Sequence, residues 1–373
     1  MLNNSQDNTQ NEPCESAQNE SCGNKNKNII KSCVALVLAV LLLVASIAAV
    51  LFRSGEAEES SDFQSEWTSS DITYSSEPSD AFAEYSDEIS EYSEISQELF
   101  PEIDAVLPES CTAAGIYEAK SLYCIFAENA DSQLSLASIT KLITASVALK
   151  YMPTDTVITV GSELNLVKPD SSTCGLKQGY VLTLEQLLYG LLMSSGNDAA
   201  YTVAVNVARY ASDDEDMTDR AAVKYFCGLM NELAAEIGAA NSSFANPEGW
   251  DDENNYSTVA DIALIAQYAK GIELIAEIAS TDKYTVNIVS GEEMLFSNSN
   301  FLLHEEGRFY NPSVTGLKTG STSGAGKCLV ATVNIDGHEY IAIVMGCPDE
   351  ESRYSSMLTL ISYIEEYDSI KFA

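Results

Sequence analysis

The chain is poor in histidine, in basic residues and in closely spaced cysteine. Only His304 and His338 occur among 373 residues, so a Ser-His-Asp triad or a two-histidine zinc site is poorly supplied. Lys and Arg number 19 against 56 Asp and Glu, for a formal charge of −37. A phosphate-binding surface needs clustered cations, so this balance speaks against nucleic acid or an anionic lipid surface as partner. Of nine cysteines, Cys111, Cys124, Cys174, Cys227, Cys328 and Cys347 lie in the second part of the chain without the C-x-x-C spacing of a zinc site. No metal and no cofactor is expected. Disulfides are permitted, their pairing is not legible, and buried thiols remain an equal alternative.

Long charge-free apolar runs are also missing, with one exception. Cys33 to Phe52 is twenty residues without a charge, enough at about 1.5 Å per residue to span a bilayer core of about 30 Å. Lys25, Lys27 and Lys31 precede it; Arg53 follows, and then fourteen acidic residues with no Lys or Arg fill positions 54–100. By the positive-inside rule the N-terminus stays in the cytoplasm and the rest lies outside. The expected organisation is a cytoplasmic tail (1–32), a single-pass signal anchor (33–52), a disordered acidic Ser/Glu-rich stalk (53–102) and a folded domain (103–373) outside the cell membrane. A cleaved signal peptide ending near Ser46-Ile47-Ala48 is the competing reading of the same run.

Within 103–373, strand-like alternation occupies both ends and helical periodicity the middle. Thr112–Tyr117 and Leu122–Phe126 flank a short turn, and Cys328–Ile335 and Tyr340–Cys347 are joined by Asp336-Gly337, a strong hairpin signal. Arg353–Tyr367 reads as a closing helix. Thr183-Leu-Glu-Gln186 has the form of a capping box ahead of a leucine face, and that helix runs into Ser194-Ser-Gly-Asn197.

The candidate chemistry starts at Ser138-Ile-Thr-Lys141. If Ser138 opens a helix, residues three apart project together, and Lys141 can serve as a base once its pKa falls. Burial, the positive end of a helix and Lys318 across a cleft are the expected causes. Taken alone this tetrapeptide is a weak signal. Ser195-Gly196-Asn197 and Lys318-Thr319-Gly320 follow in order, and the three together form the signature of penicillin-recognising serine enzymes.

From about Cys111 to Cys347 the sequence resembles the low-molecular-weight penicillin-binding proteins, more closely the serine-type D-alanyl-D-alanine carboxypeptidases. The stretches that carry the likeness include L-A-S-I-T-K-L-I-T-A, L-L-M-S-S-G-N-D-A-A, F-A-N-P-E-G-W, S-N-S-N-F-L-L and G-L-K-T-G-S-T. The resemblance implies an α+β fold of the β-lactamase/transpeptidase type: an antiparallel sheet from the N-terminal hairpin and three C-terminal strands, terminal helices on one face, a helical lobe on the other. It also implies that Ser138 attacks the carbonyl between two D-alanines of a peptidoglycan stem peptide while Lys141 takes its proton. Ser195 and Asn197 would relay the proton and hold the substrate amide, and Lys318 would act on Ser195. Thr319 and Thr322, beside Gly320 and Ser321, would receive the terminal carboxylate, with the amides of Ser138 and Ser321 as oxyanion donors. β-Lactams would be covalent inhibitors.

Departures from the family pattern are Leu136 for a usual proline, and Glu248 and Trp250 in the N-P-x-G-L stretch; none is expected to touch the chemical groups. An endopeptidase that cuts cross-links would use the same residues. A class A β-lactamase needs an E-x-x-L-N glutamate after the second motif, and the near match Glu163-Leu164-Asn165 lacks the spacing and precedes Ser195. An inactive binding module would not be expected to retain every one of these groups.

Overall fold

Alternating side chains at the two ends of the domain form one five-stranded antiparallel sheet, described by a computed structural model that covers residues 111–372 and Ala105. The expected tail, apolar run and stalk lie outside the described residues. Among the described residues, no helix is long and apolar enough to cross a membrane.

Strands β1 (Ala113–Glu118) and β2 (Cys124–Glu128) make the first hairpin, and β7 (Val314–Thr322), β8 (Gly326–Ile335) and β9 (His338–Cys347) complete the sheet in the order β2-β1-β9-β8-β7. Asp336 and Gly337 both have positive φ, 50° and 95°, which a two-residue turn between right-twisted strands requires. Strand β1 therefore pairs with β9 across most of the chain length, Ala114 opposite Val344 and Ile116 opposite Ala342.

Period-two alternation gives the sheet two apolar faces. Ala114, Ile116, Leu329, Ala331, Tyr340 and Val344 pack under helix α7 (Glu350–Lys371), which buries Tyr354, Met357, Leu360, Ile361, Ile364 and Tyr367. A fully buried side chain of this size contributes about 1.5–3 kcal/mol, which is what seats α7 on the sheet. Ala113, Tyr117, Val330, Ile341 and Ile343 point the other way, into the core of the helical lobe. The expected fold is present, with α7 as the terminal helix among the described residues.

The lobe is built around α1 (Lys141–Tyr151), whose residues 141–148 are all buried. Short strands β3 (Val157–Thr159) and β4 (Val181–Thr183) lead into α2 (Leu184–Leu192). The capping box is formed: Gln186 N donates to Thr183 Oγ1 at 3.2 Å and Thr183 N donates to Gln186 Oε1 at 3.1 Å. Helices α3 (Asn197–Ser212), α4 (Asp219–Glu236), α5 (Val259–Gly271) and α6 (Glu273–Ser280) follow, then the hairpin β5 (Lys283–Asn287) and β6 (Glu293–Ser297).

Cys111 and Cys347 form a disulfide that joins the start of β1 to the end of β9, a separation of 236 residues. Cys124, Cys174, Cys227 and Cys328 are free thiols. Closing so long a loop restricts the unfolded chain, and removal of such a bridge costs about 2–5 kcal/mol. Replacing both Cys111 and Cys347 by alanine is expected to lower the urea midpoint and to raise the m-value, because the unfolded chain without the bridge exposes more surface. An unchanged midpoint would mean that the bridge contributes nothing to stability.

Candidate active site

The site lies where the lobe meets edge strand β7. Its nucleophile candidate does not open an α-helix as expected. Ser138 sits in a 3₁₀ turn, Ala137–Thr140, and the α-helix begins at Lys141. Ala137 has φ +49°, a left-handed conformation that breaks the helical run just before the serine. The turn leaves Ser138 partly exposed between buried Ala137 and Ile139.

Lys141 is fully buried. Its Nζ lies 2.8 Å from each of three oxygens: Ser138 Oγ, Asn197 Oδ1 and the backbone carbonyl of Glu248. Two of these can only accept, whereas the Ser138 hydroxyl can also donate. A neutral amine has two N–H groups for Asn197 and Glu248 and one lone pair left for the Ser138 proton. Burial pulls the Lys141 pKa down to about 7, against an opposing pull from Glu248, Asp198 and Cys174.

Lys318, equally buried, donates to Ser195 Oγ at 3.0 Å and to the Thr319 carbonyl at 2.9 Å. Burial and the charges of Lys141 and Arg353 hold its pKa well below the usual lysine range. Burial is the largest cause at both lysines, and the like charges of Lys141 and Lys318 disfavour protonating both at once. Ser195 itself has φ +56° at the turn between α2 and α3, which presents its hydroxyl to Lys318.

Three backbone features bring these walls together. Gly320 has no room for a side chain: a Cβ there would lie 2.8 Å from the Leu136 carbonyl oxygen, which lets β7 press on the nucleophile turn. Gly249 has φ +91°, and a Cβ would fall 1.7 Å from the Ala137 carbonyl oxygen. Asn246 shapes that loop, its Oδ1 accepting from Gly249 N at 2.7 Å and Trp250 N at 3.0 Å.

Thr319 Oγ1 lies 2.7 Å from Ser299 Oγ. Thr322, expected at the substrate carboxylate, instead donates to Asp251 Oδ1 at 2.6 Å and accepts from Ala325 N. Asp251 also accepts from Gly324 N at 2.8 Å, so Thr322 ties the tip of β7 to the loop from the lobe. Ser321 is exposed, its hydroxyl accepting from Lys327 Nζ at 2.7 Å.

Three residues were not picked out by sequence reasoning. Arg353, from α7, is buried and reaches under β7, where Nη1 is 3.4 Å from the Gly320 carbonyl oxygen and Nε has no hydrogen-bond partner. Ser299 had no local signal beyond its place in S-N-S-N-F-L-L, and Asp251, the residue after F-A-N-P-E-G-W, had none. Glu248 was expected to leave the chemical groups untouched, yet its carbonyl holds Lys141 and its carboxylate acts on that lysine's charge. The reason is burial, which brings the whole residue to the base of the cleft. Glu163 is committed to its own turn, its Oε1 accepting from Gly161 N at 2.7 Å. Among the described residues, no group of three His, Cys, Asp or Glu could hold a metal ion.

Gly249→Ala is expected to cost more than about 2 kcal/mol, through left-handed strain of about 1–3 kcal/mol plus the clash at Ala137. Chemical denaturation measures this directly; a loss below about 0.5 kcal/mol would mean that the loop and nucleophile turn can part without cost.

The profile of the D-alanyl-D-alanine carboxypeptidase family matches residues 109–349. The chain is 26% identical over 260 residues to the D-alanyl-D-alanine carboxypeptidase DacF of Bacillus subtilis, an overlap of 69% of this chain and 62% of the relative. It is 30% identical over 249 residues to DacC of Escherichia coli, covering 63% and 56%. It therefore spans less than two thirds of the length of these two relatives. The crystal structure of the Streptomyces K15 DD-transpeptidase superposes with a TM-score of 0.63 at 28% identity, over 69% of this chain and 98% of that one. On its sequence and its fold alike, the chain belongs to the D-alanyl-D-alanine carboxypeptidase family of penicillin-binding serine peptidases.

Proposed function

We propose that the protein is a serine-type D-Ala-D-Ala carboxypeptidase that removes the terminal D-alanine of peptidoglycan stem pentapeptides through an acyl-enzyme. The observation that carries this reading is the Lys141 amine, buried and 2.8 Å from the Ser138 hydroxyl. Ser138 Oγ adds to the carbonyl carbon between the two D-alanines as its proton passes to Lys141. The tetrahedral oxyanion is met by the amides of Ser138 and Ser321, where one such donor is worth about 2.7–4 kcal/mol in other enzymes. The C–N bond then breaks as the leaving amine takes a proton from Ser195, which Lys318 holds in place and which recovers its proton from the Lys141 ammonium, so that Lys141 is neutral again. Water hydrolyses the ester, with Lys141 again accepting the proton, and Ser138 is restored.

Asn197 orients Lys141 through its Oδ1, and its other side-chain atom is available to the substrate amide. Thr319, Gly320 and Ser321 line the edge of β7 along which an extended peptide can lie. The terminal carboxylate favours the protonated form of Lys318, so the substrate restores the charge that burial removes there. Binding and charging are thereby coupled. β-Lactams would acylate Ser138 by the same attack. An endopeptidase acting on cross-links would use the same groups and differ only in the room beyond the scissile bond.

Incubation with a fluorescent penicillin should label the protein, with the adduct on Ser138 by mass spectrometry, and the protein should release free D-alanine from pentapeptide faster than it cleaves cross-linked dimer. A label on Ser195, or full labelling of Ser138→Ala, would end the acyl-enzyme reading, and faster cleavage of the dimer would select the endopeptidase.

For location, we propose that the lysines before residue 33, the charge-free run at 33–52 and the acidic stretch after it anchor the chain in the bacterial cell membrane, with the enzyme on the cell-wall side. Protease added to intact protoplasts should then remove the domain from Ile103 onward and spare the segment before the apolar run. Protection of the domain would reverse the orientation.

A further inference from the structure

Two fully buried lysines stand side by side in this site, and their surroundings differ. Lys318 is faced by cations, Lys141 and Arg353. Lys141 is faced by Glu248 from the loop after α4, Asp198 from α3 and the Cys174 thiol, with Lys318 across from it on β7. The two carboxylates are not equivalent. Asp198 accepts four backbone N–H groups, from Cys174, Gly175 and Leu176 at 2.9 Å and from Ala199 at 3.0 Å. Peptide dipoles therefore compensate most of its charge.

Glu248 has no such cradle. Its side chain is buried at 1% exposure. Oε1 accepts one hydrogen bond, from the Tyr201 hydroxyl of α3 at 3.0 Å, and Oε2 has no hydrogen-bond partner. An incompletely compensated buried carboxylate is costly unless a nearby cation offsets it. The groups that act on it are Lys141, Tyr201 and Lys168, the last of which also lies 4.6 Å from the Trp250 ring. Glu248 is bound to Lys141 a second way, since its own carbonyl accepts from the lysine amine.

We propose that Glu248 is a positioning residue for the reaction at Ser138: its carbonyl aims the Lys141 amine, and its Tyr201-anchored carboxylate stabilises the ammonium that forms each time that amine takes up a proton. The inference rests on the function proposed above and deepens it. A base that must accept the Ser138 proton and later give it up works best when its pKa lies near the operating pH. At Lys318 burial and the neighbouring cations all act in the same, downward direction. A carboxylate behind Lys141 raises its proton affinity towards neutrality, so the ammonium formed on acylation is stabilised where it stands. No atoms are exchanged with Glu248; only the proton shared by Ser138 and Lys141 moves.

The test is the pH profile of penicillin acylation in the full chain. Acylation needs neutral Lys141, so the wild-type rate should fall about tenfold per pH unit below a midpoint close to 7. Glu248→Gln keeps the shape and an acceptor for Tyr201 but removes the charge. Its midpoint should move to lower pH by about one unit, and its plateau rate should fall several-fold because the base is weaker. Glu248→Asp keeps the charge and should keep its midpoint nearer to wild type than to the glutamine variant, whatever happens to its rate. Simple damage to the loop would lower the rate at every pH and leave the midpoint unmoved.

If Glu248→Gln does not fold, Tyr201→Phe gives the same reading, because a carboxylate without its hydroxyl donor protonates more readily and the midpoint again moves down. A midpoint unmoved or raised in the folded glutamine variant, or in Tyr201→Phe where that variant is used, overturns the proposal. A wild-type chain that penicillin does not label at Ser138 would instead remove the underlying function, and the two failures are therefore distinguishable.

Discussion

A primary amine with no access to water is the constraint around which this domain is arranged. Lys141 Nζ must find partners inside the protein, and it finds them on three separate segments: its own 3₁₀ turn, the first residue of α3 and the carbonyl of Glu248. Each contact fixes a piece of backbone that has no other reason to be there. The left-handed Ala137 starts the turn, the left-handed Ser195 aims α3, and Gly249 admits the loop to within contact of Ala137. Burial thus does two things at once: it makes the amine a base and makes the surrounding chain rigid.

The cleft gathers basic side chains within a chain of formal charge −37. Lys318, on β7, donates to the Thr319 carbonyl, and Arg353, from α7, lies against the next one, that of Gly320. The acidic groups nearest to the site are each engaged. Asp198 is wrapped in amides, Asp251 ties the β7 tip to the lobe, and Glu248 sits behind the general base. An anionic substrate end therefore meets positive groups at short range. It gains little from the field of the whole protein, which long-range screening weakens in any case.

What the sequence disclosed was local. Asp336-Gly337, the Thr183/Gln186 box and the three short motifs carry their meaning within four or five residues, because turn chemistry, capping and active-site spacing are short-range properties. The hairpins at both ends were legible, their union in one sheet was implied by the family resemblance, and the order β2-β1-β9-β8-β7 came only with the structure. What stayed hidden depends on packing between distant segments: the Cys111–Cys347 pair, the arrival of Arg353 under Gly320, and the tether from Asp251 to Thr322. Glu248 is the instructive case. Its position within F-A-N-P-E-G-W was noticed as a departure, but nothing in those seven letters says that the loop turns its carboxylate inward against Tyr201. The boundary at Ser138 was missed for a related reason, since a single left-handed alanine has no sequence signature.

The close approach at Gly249 and Gly320 also sets how this cleft can diversify. Neither position accepts even one added carbon without moving the nucleophile turn. Heritable variation that changes what the enzyme admits is therefore steered away from the floor of the site and onto its rim, to side chains such as the exposed Lys168 and the partly exposed Trp250. Over generations the floor behaves as a fixed template, and novelty in recognition accumulates around its edge.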